Sequence, residues 1–511
     1  MPSRLRRLAL LTGATLLAAT GCTSGAQVDE PRGSGQEAPR LAPSRAADPD
    51  APNVVLITSD DQTEVELRWM PKTRRLIGRA GVRFDDMVAP HPNCCPARAQ
   101  ILSGQYAHNN GVRTNSPPWG GHQGFDPENA LPVWLQRAGY ATGFVGKYMH
   151  GYDDRDGIEP GWDRWRPIIG VLSNYRNFLQ YDDGELVRFG PEDYYTDTVA
   201  QQSREMVRQF SRAKKPFFLW SSFIAPHGTC EGYTKKDCSG PPPAADRHAD
   251  ILGDVPLPSL ESPAFNEDDV SDKPRASRRG TKVDPAAQQE LFTQRIRALA
   301  ALDDAVAGIV AELKERDQLD DTVLMFTSDN GYLFGEHRLV GKNVPYEPAV
   351  KVPLVMRGPG IPAGERRAQT VAMIDLAPTI AELAGATAAR EMDGVSILPY
   401  ARADEPQGDR ALLLQAGSPG KVKARAWKWR SVRTDRYTLT RWKVPRFWEL
   451  YDREADPAQL DNVYDDDRYA GVREALEPFL LKSLADCRGE ACRAAVPDLP
   501  EPAPTAADAD Q

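Results

Sequence analysis

Two distant segments of the 511-residue chain end in the same way. Asn53-Val54-Val55-Leu56-Ile57-Thr58-Ser59 is a continuous apolar run that stops at Asp60-Asp61. Thr322-Val323-Leu324-Met325-Phe326-Thr327-Ser328 repeats it and stops at Asp329-Asn330-Gly331. Short apolar runs without alternation mark strands covered on both faces. A third such run, Pro216 to Phe223, leads into Ala225-Pro226-His227. Helical patterns lie between the strands. Asp284-Pro285 reads as an N-cap with proline in the first turn. Leu291, Ile296, Leu299, Leu302, Val306, Ile309, Val310 and Leu313 follow at core-facing spacing. Ile374 to Ala384 reads as a further helix with Gly385 as its stop. This alternation predicts an α/β fold, a largely parallel sheet covered by helices. In such sheets ligands sit beyond the carboxyl ends of the strands. Asp60, Asp61, Asp329, Asn330 and His227 are therefore expected along one edge. Three carboxylates and an amide oxygen suit Ca²⁺ or Mg²⁺ rather than zinc. Acidic residues that merely cap the following helices are the competing explanation.

The charge balance, 63 Lys plus Arg against 72 Asp plus Glu, gives −9. That excludes a nucleic-acid binder that depends on neutralising phosphates. The 10 Trp, 15 Phe and 16 Tyr exclude a wholly disordered chain. Arg4, Arg6 and Arg7 precede an apolar run, Leu8 to Ala19, which is too short to span a bilayer but fits an export signal. The run leads through Ala19-Thr20-Gly21 to Cys22, which resembles a bacterial lipobox with Cys22 as the lipid-bearing residue. A plain signal peptide is the alternative. Export frames Cys230/Cys238 and Cys487/Cys492 as short-loop disulfides, with free thiols as the other reading.

His91-Pro92-Asn93-Cys94-Cys95-Pro96-Ala97-Arg98 is the most informative stretch. Adjacent cysteines read as a redox pair, a soft-metal site or packing residues. Cys94-x-Pro96-x-Arg98 resembles the modification motif of the type I sulfatases, in which that cysteine is oxidised to formylglycine (3-oxoalanine). The likeness continues in order through Asp60-Asp61, Gly146-Lys147-Tyr148, Ala225-Pro226-His227, Ser328-Asp329-Asn330-Gly331, Gly335-Glu336-His337-Arg338, Gly341-Lys342 and Glu449-Leu450-Tyr451-Asp452. Within the family it is most similar to the N-acetylglucosamine-6-sulfatase branch. The resemblance implies an alkaline-phosphatase-like fold, with a large mixed, mostly parallel sheet sandwiched by helices and a smaller C-terminal α+β subdomain. The expected organisation is a lipoprotein signal over 1–21, a flexible tether over 22–51, a catalytic domain over 52–404, the subdomain over 405–495 and a disordered tail over 496–511. Residues 229–282 form either a rim over the site or a disordered insertion.

The implied reaction is hydrolysis of sulfate monoesters, with 6-O-sulfated amino sugars or aryl sulfates as substrates. A hydrated aldehyde at Cys94 offers two hydroxyls: one attacks sulfur, and loss of the other's proton ejects sulfate. Asp60, Asp61, Cys94, Asp329 and Asn330 would hold Ca²⁺, or Mg²⁺, which polarises the sulfate. Arg98 would bind the hydrated aldehyde, Lys147 and Lys342 the sulfate oxygens, and His227 the leaving alcohol. His150 and His337 are further substrate-contact candidates, each with a packing alternative. Ala97 stands where the motif usually has Ser, and Met149 where many relatives have His. The implied partners are a sulfated small molecule or glycan and, during maturation, a formylglycine-generating enzyme. Nucleic acid is not expected, and the membrane is reached only through the anchor at Cys22 of an exported protein. A phosphate or phosphonate monoester hydrolase and a non-catalytic substrate-binding lipoprotein are the rival readings.

Overall fold

The computed structural model describes residues 48, 50–213, 215–229, 240–253, 255–418, 427–443 and 445–503. Its strands are β1 (Asn53–Ser59), β2 (Val82–Val88), β3 (Ala141–Lys147), β4 (Arg164–Ile169), β5 (Leu179–Asp182), β6 (Glu185–Arg188), β7 (Phe217–Ser222), β8 (Thr322–Ser328), β9 (Leu333–Phe334), β10 (Val340–Gly341), β11 (Lys351–Arg357) and β12 (Glu365–Ala372). Four more follow: β13 (Leu412–Gly417), β14 (Trp427–Arg433), β15 (Tyr437–Lys443) and β16 (Arg446–Asp452). The large sheet runs β12-β2-β11-β8-β1-β7-β3-β4-β5-β6, and β8, β1, β7, β3 and β4 are mutually parallel at its centre. The three apolar runs are three adjacent central strands, buried along their whole length. Along β1, Val54 and Leu56 join one apolar cluster while Val55 and Ile57 join the other. That is why the sequence shows no alternation: both faces are covered.

Asp284 caps the long helix Pro285–Glu315 through the Ala286 N–H (3.0 Å), as its sequence predicts. Leu299, Leu302, Val306 and Ile309 carry that helix onto the sheet. The helices Cys94–Ser103 and Leu376–Leu383 cover the opposite face with Cys95, Ala99, Leu102 and Ile380. The four-stranded antiparallel sheet β13-β14-β15-β16 packs with Val472, Leu476 and Leu480 in a third cluster. Arg433 on β14 binds Asp86 on β2 and Glu347 together, at 2.8–3.0 Å.

One alternative falls away and one expectation is corrected. The described part of 229–282 is packed rather than disordered: Leu257, Ala264 and Lys273 are buried, and Phe265 pairs with Glu336. The tail expected to be disordered from Val496 is held as far as Ala503. Val496 and Leu499 pack on the third cluster, Glu501 binds Arg436 (2.7 Å), and the Ala503 N–H reaches the Arg468 carbonyl (3.2 Å). Apolar residues spaced among prolines suffice to seat an irregular segment, and no periodicity announces them. Cys487 and Cys492 are joined by a disulfide. The readings at Cys22, Cys230 and Cys238 lie outside the described residues. Among the described residues no helix is long and apolar enough to cross a membrane.

Candidate active site

Strand register gathers the site. Ser59 of β1 pairs with Ser328 of β8, Thr58 with Ser222 of β7, and Ser222 with Gly146 of β3. The residues that follow these strand ends, Asp60 and Asp329, therefore emerge beside Lys147. All three are fully buried. Asp61 turns back with φ 68°, and its N–H donates to Asp329 Oδ1 (3.1 Å).

Cys94 opens its helix directly over this edge, capped by the Asn93 side chain. Its Sγ lies 3.1 Å from Lys342 Nζ, 3.7 Å from Lys147 Nζ and 3.7 Å from Asp60 Oδ1. Burial and the Asp60 carboxylate push the Cys94 thiol up to about 11, against the pull of the lysines. Cys95 points instead into the apolar core, where its Sγ accepts the His150 N–H (3.2 Å) and burial raises it to about 12. Thiols this hard to ionise are poor redox nucleophiles, which removes support from the redox-pair reading.

Three cations meet three carboxylates here. Arg98 binds Asp60 (3.2 Å) and Asp329 (3.0 Å), Lys147 binds Asp60, and Lys342 binds Asp61. Burial opposes ionisation of Asp60, but Lys147, His227, Arg98 and Lys342 outweigh it and hold the carboxyl well below its ordinary range. Asp329 shows the reverse: burial and the neighbouring Asp60 push it up to about 6. The carboxylates are thus crowded enough that their cations only partly offset the repulsion. Asn330 donates its amide to Asp61 Oδ1 (2.8 Å) and the Gly331 carbonyl (2.9 Å), leaving its own Oδ1 buried with no hydrogen-bond partner. An orphaned amide oxygen beside three crowded carboxylates is a donor set that fits a hard divalent cation.

The His227 Nδ1 faces the Gly228 carbonyl (2.6 Å), so that nitrogen carries the proton and Nε2 is left toward Asp61 Oδ2 (3.6 Å). Burial and then Lys147 lower this imidazole to about 4. His150 is fixed through its backbone to Cys95 and to the His122 N–H (2.8 Å). His337 is 1% exposed, bound to Glu267 (2.7 Å) and set against the Tyr346 ring at 4.3 Å, contacts that tie it to the 229–282 segment. Three contributors escaped the sequence reading. Ser222 Oγ accepts from Arg98 (2.5 Å) and donates to the Lys147 carbonyl (2.7 Å). Arg295 and Glu66 form a buried pair (2.8 Å) that braces the Asp61 carbonyl (2.6 Å). The only signal for Ser222 was its position at the end of an apolar strand; Arg295 had none, being a cation on an apolar helix face.

The family model for sulfatases matches residues 52–386, and that for the C-terminal region of N-sulphoglucosamine sulphohydrolase matches residues 335–486. The arylsulfatase of Volvox carteri is 32% identical over 501 residues, 86% of this chain and 75% of that one. The N-acetylglucosamine-6-sulfatase of Homo sapiens is 34% identical over 374 residues, 69% of this chain and 64% of that one. The extracellular sulfatase SULF-1 homolog of Drosophila melanogaster is 35% identical over 365 residues, 68% of this chain but 31% of that longer protein. A protein solved in complex with its substrate D-glucosamine-2-N,6-O-disulfate superimposes with a TM-score of 0.69 at 21% identity, over 85% of this chain and 98% of the other. The phosphonate monoester hydrolase of Agrobacterium radiobacter gives 0.60 at 23%, over 83% and 93%. At such identities the two structures speak for the fold, the expected alkaline-phosphatase-like one, and for nothing finer. With the ordered motifs and the matched residues together, the chain belongs to the sulfatase family, the sulfuric ester hydrolases.

Proposed function

We propose that this sulfatase is exported and removes sulfate from sulfated sugars, 6-O-sulfated amino sugars among them, at a Cys94 converted to formylglycine. The observation that carries the reading is the placement of Cys94: a helix N-terminus, two lysines and the Asp60 carboxylate converge on its Sγ. Asp60, Asp61, Asp329 and Asn330 would hold Ca²⁺ or Mg²⁺, which would supply positive charge at the sulfate, and a formylglycine at position 94 would supply geminal hydroxyls as nucleophile and release group. Lys147 and Lys342 bind the sulfate oxygens, where negative charge grows as the ester bond breaks. Arg98, pinned by Ser222 and Asp329, orients residue 94. Asp329, beside residue 94, would accept the proton of the attacking hydroxyl. His227 would take up a second proton at Nε2 once the anionic sulfate beside it raises its basicity, donate that N–H to the ester oxygen and pass the proton to the leaving alcohol. The glucosamine-sulfatase relatives support the sugar class, and the extracellular sulfatases support export.

Mass spectrometry of the peptide spanning Cys94, from protein made in its native host, is expected to show the aldehyde or its hydrate. A wholly unmodified thiol in active protein sinks the mechanism. Chelation by EDTA is expected to lower turnover of an aryl sulfate by about a hundredfold or more, with recovery on adding Ca²⁺ or Mg²⁺. Undiminished turnover after exhaustive chelation removes the cation from the proposal.

A further inference from the structure

Outside the Cys94 cluster, a pocket of about 310 Å³ opens between the short helix Arg275–Arg279 and the small sheet. Phe447 supplies aromatic surface beside the largely buried Trp442, while Arg275, Arg279 and Lys428 supply three positive charges; among the described residues no acidic side chain lines it. Among the described residues neither arginine has a carboxylate partner. Lys428 donates to the Asn343 carbonyl (3.3 Å) and sits 5.8 Å from the Trp442 ring, and burial lowers its basicity with no anion to offset the cost. The partly buried Lys428 gains from an anion that completes it, and the two exposed arginines at the mouth are free to supply further contacts to that anion.

The pocket is tied to the reaction centre through one residue. Asn343 follows Lys342, whose Nζ stands 3.1 Å from Cys94 Sγ, and the Asn343 carbonyl also holds Trp429 Nε1 (3.1 Å). The other wall belongs to the 229–282 segment, held to the sheet by Arg278 over the Phe447 ring at 5.8 Å. A partly exposed aromatic ring, Phe447, beside guanidinium groups that fork onto sulfate or carboxylate, is the chemistry of an anionic glycan site.

We infer that this pocket is a second subsite, which holds an anionic sugar unit of an oligosaccharide while the unit bearing the scissile ester lies over Cys94. The inference rests on the sulfated-sugar reading and adds that the preferred substrate is an oligomer with more than one negative charge. Its test is the double variant Arg275→Ala with Arg279→Ala, both exposed and remote from Cys94 in sequence. Three substrates are compared: a small aryl sulfate, glucosamine 6-sulfate, and a sulfated heparin-derived tetrasaccharide. The expected result is a rise of about tenfold in KM for the tetrasaccharide, a weaker dependence on salt, and changes within about twofold for the small substrates. Equal losses on all three, or no loss on the tetrasaccharide, overturn the subsite. A wild-type protein that turns over neither sugar sulfate refutes the sulfated-sugar reading instead. Calorimetric titration of the same tetrasaccharide into wild type and variant then still decides the pocket, since affinity unchanged by the double substitution rejects it.

Discussion

Cys94→Ala is expected to abolish hydrolysis of sulfate esters, with a loss on the order of 10⁴-fold or more in kcat. As a thiol, Cys94 has little to offer: burial and the Asp60 carboxylate push it up to about 11 and so keep it protonated at pH 7. Expression without the formylglycine-generating enzyme is therefore expected to mimic the substitution. The fold has no need of the sulfur. Asn93 still caps the helix, Cys95 still fills the apolar core, and Arg98 keeps its contacts with Asp60, Asp329 and Ser222. Initial rates on an aryl sulfate, with circular dichroism as the control for folding, provide the check. A folded Cys94→Ala protein within about tenfold of wild type contradicts the proposed chemistry.

The second large effect is on stability. Arg433, 1% exposed, is the shared partner of Asp86 and Glu347, and it joins the small sheet to the edge of the large one. Arg433→Met leaves two carboxylates facing each other in a poorly solvated space, at an expected loss of about 3–5 kcal/mol. Burial by itself would raise Asp86, but Arg433 and Thr370 outweigh it and depress its carboxyl well below the unfolded value. A depressed carboxyl stabilises the fold above its unfolded pKa, and that contribution is lost as pH falls through the acid range. Wild type is therefore expected to lose stability on acidification below about pH 4, and Arg433→Met to show a flatter profile from a lower start. Urea midpoints across that range measure both. An unchanged midpoint at pH 7 shows that the bridge contributes nothing.

Local features of the chain were enough to reveal much of the site. Asp60, Asp61, Asp329 and Asn330 each follow a strand whose burial is written in consecutive apolar residues, and Cys94, Pro96 and Arg98 share one helical turn. The fold class followed from the same strands and the helices between them. Other assignments needed contacts between distant residues. His337 has its partner in Glu267, 70 positions away, a contact that no local pattern announces. The tail beyond Val496 carried no pattern that separates a docked segment from a free one.

What the sequence determined by itself was therefore the set of side chains available: three carboxylates and an amide at strand ends, a cysteine in the Cys94-x-Pro96-x-Arg98 pattern, and the cations that go with them. Only the tertiary structure decided which of them meet. Arg98 reaches Asp329 across 231 positions and Ser222 across 124 because β1, β7 and β8 are neighbours. The second, basic pocket exists because a segment inserted after His227 returns against the small sheet. The physical reason is the same in each case. Residue type and periodicity are properties of a few consecutive residues, whereas charge pairing and pocket shape depend on strand order and register, which bring together residues far apart in the chain.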